Sequence, residues 1–144
     1  MSDNNAEKQQ LKRSLENKVT QLNDYITRLN NEKAELNHKK QRLVKARDTV
    51  AEKKGDFRKL QRNDDTNINS KYSWKGSTYD EFTSYGSQLT YSDTCYESSV
   101  DTVHDELNIE INNIEKQIAQ RTGLISSCVA EINGLWVRIG NIFN

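Results

Sequence analysis

An all-α fold, an elongated antiparallel two-helix hairpin with Trp74-Lys75-Gly76 in the connecting turn, is what this sequence predicts, on three observations. Apolar residues recur at steps of seven through two long stretches, the period of a helix that buries one narrow stripe. No proline occurs anywhere in the 144 residues to break either stretch. Basic residues crowd the end of the first stretch and acidic residues the start of the second, so folding the chain back sets opposite charges side by side. Hydrophobic residues make up only 33% of the chain, against the ~45–50% usual for globular proteins. A stripe per helix is therefore affordable and a thick core is not. The length fits one helical-hairpin domain, 1–144.

Helix one is expected over about residues 7–62. Leu15, Leu22, Leu29, Leu36, Leu43, Val50 and Phe57 follow one another at steps of seven, a ladder only a helix keeps on one side. Leu11, Val19, Ile26, Ala46 and Leu60 supply a patchier second row, which Lys39, Lys40 and Lys53 interrupt. The connecting turn is expected over about 63–77. It opens with Asn63-Asp64-Asp65-Thr66-Asn67-Ile68-Asn69-Ser70, residues whose side chains bond their own backbone and so compete with helix.

Helix two is expected over about 78–141. Ser77-Thr78-Tyr79-Asp80 has the form of an N-terminal cap, with carboxylates of Asp80 and Glu81 in the first turn. Phe82, Leu89, Tyr96 and Val103 then repeat at seven, and the stripe shifts by four to Leu107 before continuing as Ile111, Ile118, Ile125, Ile132 and Ile139. A four-residue shift is a stutter, which changes the winding without breaking the helix. Leu107, Ile114, Cys128 and Leu135 run beside it, with Arg121 the polar member of that row.

From Lys39 to Arg62 there are ten Lys or Arg residues and three acidic ones, while from Asp80 to Glu106 there are seven acidic residues and no Lys or Arg. The hairpin lays these segments along each other. The same match argues against nucleic acid: the net charge is zero, and the basic run is answered within the chain. No stretch reaches the ~18–20 apolar residues of a membrane span, and Met1-Ser2-Asp3-Asn4-Asn5 lacks the apolar core of a signal peptide. The expectation is a cytoplasmic protein, with any export, alone or beside a cargo, by a leaderless route. Cys95 and Cys128 lie 33 positions apart, roughly 50 Å on one helix at ~1.5 Å per residue, too far to pair.

Trp74 and Gly76 form a Trp-X-Gly tripeptide between two long amphipathic helices, and Phe82 follows Trp74 at +8. The arrangement resembles the WXG (ESAT-like) family of type VII secretion, in particular the YwqH-like small helical proteins encoded beside LXG toxins in Gram-positive bacteria. The likeness covers most of the chain in architecture, and Trp74, Gly76 and Phe82 in specific residues. It implies a targeting factor or chaperone that binds the N-terminal helical domain of an LXG toxin, together with a second small helical protein. The cargo would thereby reach the secretion ATPase, and a homodimer would form when the partner is absent. It also implies that Trp74 and Gly76 belong to a recognition surface; an indole plugging the hairpin end against Phe82 and Tyr79 is the plainer alternative. None of the six tyrosines has an acidic residue four positions later, so the export signal of secreted members of the family is missing.

The docking face is expected where helix two is most apolar, at Ile118, Ile125, Val129, Ile132, Trp136 and Ile139, together with Leu15, Leu22 and Leu29 of helix one. Ile109, Leu124, Val137, Ile142 and Phe143 also fall partly off the stripe that helix one covers. Packing within the hairpin's own end is the competing account of these residues. Catalysis has little to stand on: the histidines are His38 and His104, no glycine-rich phosphate loop occurs, and Asp101, His104 and Asp105 would hold a metal only weakly. No cofactor is implied. A structural, self-associating coiled coil whose Trp-X-Gly is accidental is the alternative function.

Overall fold

Two helices carry the chain, α1 from Ser2–Asn69 and α2 from Ser77–Asn141. The computed structural model describes residues 2–69 and 77–144, with side chains over 2–63 and 79–144. Trp74 and Gly76 lie outside the described residues. Helix α1 starts earlier than residue 7 and runs on through the Asn- and Asp-rich segment expected to end it. Each of those residues disfavours helix by only a few tenths of a kcal/mol relative to its neighbours, and none is proline.

The hydroxyl-rich first half of α2 stays helical by a local device. Thr83, Thr90, Thr94, Ser99 and Thr102 each donate a hydroxyl hydrogen bond to the carbonyl four residues back, at 2.9–3.1 Å. Their polar atoms are thus satisfied on the helix itself instead of competing for its amides.

The packing divides into two units. The first joins Met1–Lys40 to Asn113–Asn144. Leu15 and Val19 cluster there with Ile132, Leu135 and Ile139, and Leu22, Ile26 and Ile142 pack against them. Farther along α1, Glu32 meets Arg121 (2.8 Å) and Lys40 meets Glu115 (3.1 Å). Partners climb α1 as they descend α2, so the helices pack antiparallel. Ile114, 1% exposed, is the most buried side chain among the described residues.

The second unit, Gln41–Asn112, is also an antiparallel pair but a more polar one. Arg47 donates to Asn108 at 3.2 Å, Lys54 pairs with Asp101, and Arg58 meets Glu97 at 2.8 Å. The rings of Phe57 and Tyr96 touch with centroids 4.6 Å apart. Among its described residues only Ile111 is fully buried.

The stripe each helix turns inward differs from the one its apolar residues suggest. On α1 the first row is the Leu15-to-Phe57 ladder, as expected. The second row is Lys12, Val19, Ile26, Lys33, Lys40, Arg47, Lys54 and Gln61, all at least half-buried, whereas Leu11, Ala46 and Leu60 are exposed. Long cationic side chains bury their methylene stems along the seam and carry the charge to its edge. On α2 the inward positions of the second unit include Phe82, Gly86, Asp93, Glu97, Val100, His104 and Leu107. Leu89, Tyr96 and Val103 are 43%, 52% and 46% exposed, so the stripe expected through them is not the buried one. No shift is needed at Leu107, because from Glu97 onward the inward residues alternate steps of three and four without interruption. In this rotation Arg47, Lys54 and Arg58 of α1 meet Asn108, Asp101 and Glu97 of α2, and Phe82, Val100 and Leu107 are the apolar members of the inward side.

Candidate functional site

The ladder residues expected to dock a partner are largely consumed inside the hairpin. Leu15, Leu29, Ile132 and Ile139 are buried in its core, and Leu22, Ile118 and Ile125 are half-buried. These seven fill the seam between α1 and α2, so a third helix would reach them only by opening the pair. Val129 and Trp136 remain, 44% and 51% exposed.

What sets these two apart is their row. Val129, Trp136 and Phe143 stand at steps of seven along the flank of the buried stripe, and Phe143 is 48% exposed. The register of α2 places Val129 and Trp136 on one edge, beside the core cluster of Ile132, Leu135 and Ile139, and Phe143 follows in the turn after the helix. Leu124 and Val137 extend apolar surface around the helix, at 45% and 64% exposed. Gly123 and Gly134 lie on the outer side, where an added Cβ would meet nothing within 4 Å. From Thr122 onward the charged residues are Glu131 and Arg138 alone. The edge is thus apolar, nearly uncharged and built on a regular helix, with little desolvation to oppose burial.

Phe82 is half-buried on the first turns of α2. The grouping with Trp74 and Gly76 falls outside the described residues.

The polar side chains of the second unit pair across the two helices. Asp101 accepts a hydrogen bond from the Lys54 ammonium, which together with the charges of Lys54, Arg58 and His104 holds its carboxyl below the usual aspartate range. His104 Nδ1 lies 3.4 Å from the Asn108 side-chain nitrogen and 4.0 Å from an Asp105 oxygen. Asp101, His104 and Asp105 do not assemble into a metal site, and among the described residues no cluster of His, Cys, Asp or Glu is arranged to hold one. Nor is any helix among them long and apolar enough to cross a membrane.

Phe143, one of the apolar residues that the sequence sets off the stripe, follows the last turn of α2. Its signal is the seven-residue step from Trp136. Compared with protein-family models, curated proteins and solved structures, the chain matches none.

Proposed function

We propose that this chain is a helical adaptor whose cargo docks along the Val129–Trp136–Phe143 edge of α2. The observation that carries it is the half-exposed Trp136 at the centre of a heptad-spaced apolar row that α1 leaves open. Three such side chains at steps of seven match the period at which a third helix presents its own apolar residues. An indole in mid-row is also the side chain best suited to anchor such a contact.

The Trp74-Lys75-Gly76 resemblance supplies the class of cargo: the N-terminal helical domain of an LXG toxin, accompanied by a second small helical protein and delivered to the type VII secretion ATPase. In this reading the chain meets its cargo in the cytoplasm, and the Trp-X-Gly bend addresses the secretion machinery while the α2 edge grips the toxin.

Co-purification of the chain with such a toxin domain tests the reading. Trp136→Ala should weaken the complex by about 2 kcal/mol or more, roughly thirtyfold in Kd, and Val129→Asp should abolish it, while helix content by circular dichroism stays unchanged. Undiminished capture by both variants would sink the assignment of the edge. Failure of the wild-type chain to bind the toxin domain at all would sink the assignment of the cargo.

A further inference from the structure

Within the first unit, the second inward row of α1 carries the cations Lys12, Lys33 and Lys40. Lys12 pairs with Glu16 at 3.8 Å and Lys40 with Glu115 at 3.1 Å. Lys33 is half-buried in the same row, and among the described residues it has no ion-pair or hydrogen-bond partner. The side chains within reach along its own helix, three and four residues away, are Leu29, Asn30, Leu36 and Asn37, and none is a carboxylate.

The facing helix does not answer it either. Lys40 meets Glu115, and in an antiparallel pair a step of seven back along α1 is a step of seven forward along α2, so Lys33 comes level with Thr122. The Thr122 hydroxyl is already given to the Ile118 carbonyl, at 2.9 Å. Glu32, next to Lys33 in the chain, is held by Arg121 at 2.8 Å. This level of the seam therefore holds two cations and one carboxylate.

Its place gives that surplus a use. Glu115, Thr122, Val129 and Trp136 stand at steps of seven along α2, and Lys40 reaches the first of them. Lys33 thus borders the row that becomes the apolar edge, one step before Val129. A helix lying along Trp136 and Val129 and continuing by one step covers Thr122 and closes over Lys33. Covering an ammonium with apolar surface removes its hydration and opposes binding; a carboxylate at that step offsets the loss.

We infer that Lys33 selects the docked helix by charge: the edge takes an amphipathic helix whose apolar residues meet Trp136 and Val129 and whose next residue at the seven-residue step is Asp or Glu, paired with the Lys33 ammonium. The inference rests on the edge being the cargo site and adds the residue that separates one apolar helix from another.

The test titrates the full chain, by calorimetry, with two synthetic helical peptides. Both carry leucine at three successive steps of seven; the fourth step is glutamate in one and lysine in the other, and each is made in both chain orders. The wild-type chain should bind the glutamate peptide roughly tenfold more tightly. Lys33→Leu should erase that preference while raising the thermal midpoint, so its loss is not unfolding, and Lys33→Glu should invert it. A wild-type chain that binds neither peptide, or binds both alike, overturns the inference, as does a preference that survives Lys33→Leu. Toxin capture, read through Trp136→Ala, reports separately: capture that depends on Trp136 without charge preference keeps the cargo site and removes the role of Lys33. Charge preference without toxin capture does the reverse.

Discussion

Asp101 titrates low because Lys54 donates to its carboxylate. A depressed carboxyl pKa in the folded state contributes stability that is fully present above the unfolded value of ~3.9 and is lost as pH falls through the folded value. Acid titration of backbone exchange in the second unit should therefore show a loss of protection that begins near the ordinary aspartate range and continues below it. Asp101→Asn should flatten that dependence while leaving neutral-pH helicity intact. In the first unit the decisive side chain is Ile114, 1% exposed. Ile114→Ala should cost about 2–5 kcal/mol, read as a lowered denaturant midpoint. Burial of Ile114 was legible from the sequence, since it lies in a row with Leu107, Cys128 and Leu135. The pairing of Asp101 with Lys54 was legible only as a surplus of acid facing a surplus of base, because which acid meets which cation depends on register and rotation.

Both helices were visible from their seven-residue ladders, yet half of each inward stripe was not. Periodicity of apolar residues locates the buried side only where apolar residues fill it. On α1 the second inward row is cationic from Lys33 through Lys40, Arg47 and Lys54, and a charged row reads as surface until the partner's acids are placed against it. The error on α2 follows from this one. Val103 looks like core in the sequence and stands outside it, and half-exposed Tyr96 keeps its contact with Phe57, while Glu97 and Asp101 pair with Arg58 and Lys54. Lys33 gives a measure of what the cationic row costs. It is half-buried between the levels of Leu29 and Leu36, so Lys33→Leu should raise stability by about 1 kcal/mol through added apolar burial, detected as a higher thermal midpoint. For the candidate edge, Val129 and Trp136 were recognisable as apolar residues off the stripe. The ladder residues grouped with them were not separable from core, since a sequence does not say which of two adjacent rows the neighbouring helix occupies.

Across the molecule the two units rest on different forces, an apolar cluster in the first and ion pairs flanking a sparse core in the second. Ion pairs at partly exposed positions weaken as salt shortens the Debye length, from ~10 Å at 0.1 M to ~3 Å at 1 M, whereas apolar burial does not. Hydrogen exchange in 1 M salt should accelerate amides of 41–62 and 80–112 while those of 15–29 and 125–139 hold; equal response in all four segments would contradict this division. The bond between Arg121 and Glu32 in the first unit has a different consequence. Ladders that repeat every seven residues are indifferent to sliding by seven, because leucine meets isoleucine again at each step. Moved by one such step, Arg121 would stand beside Tyr25 or Lys39 instead of Glu32, its charge unanswered or opposed. This contact thus marks one frame among those the repeats allow, as a start codon does, and the cross-helix pairs Lys54–Asp101 and Arg58–Glu97 are likewise lost on a slide by seven.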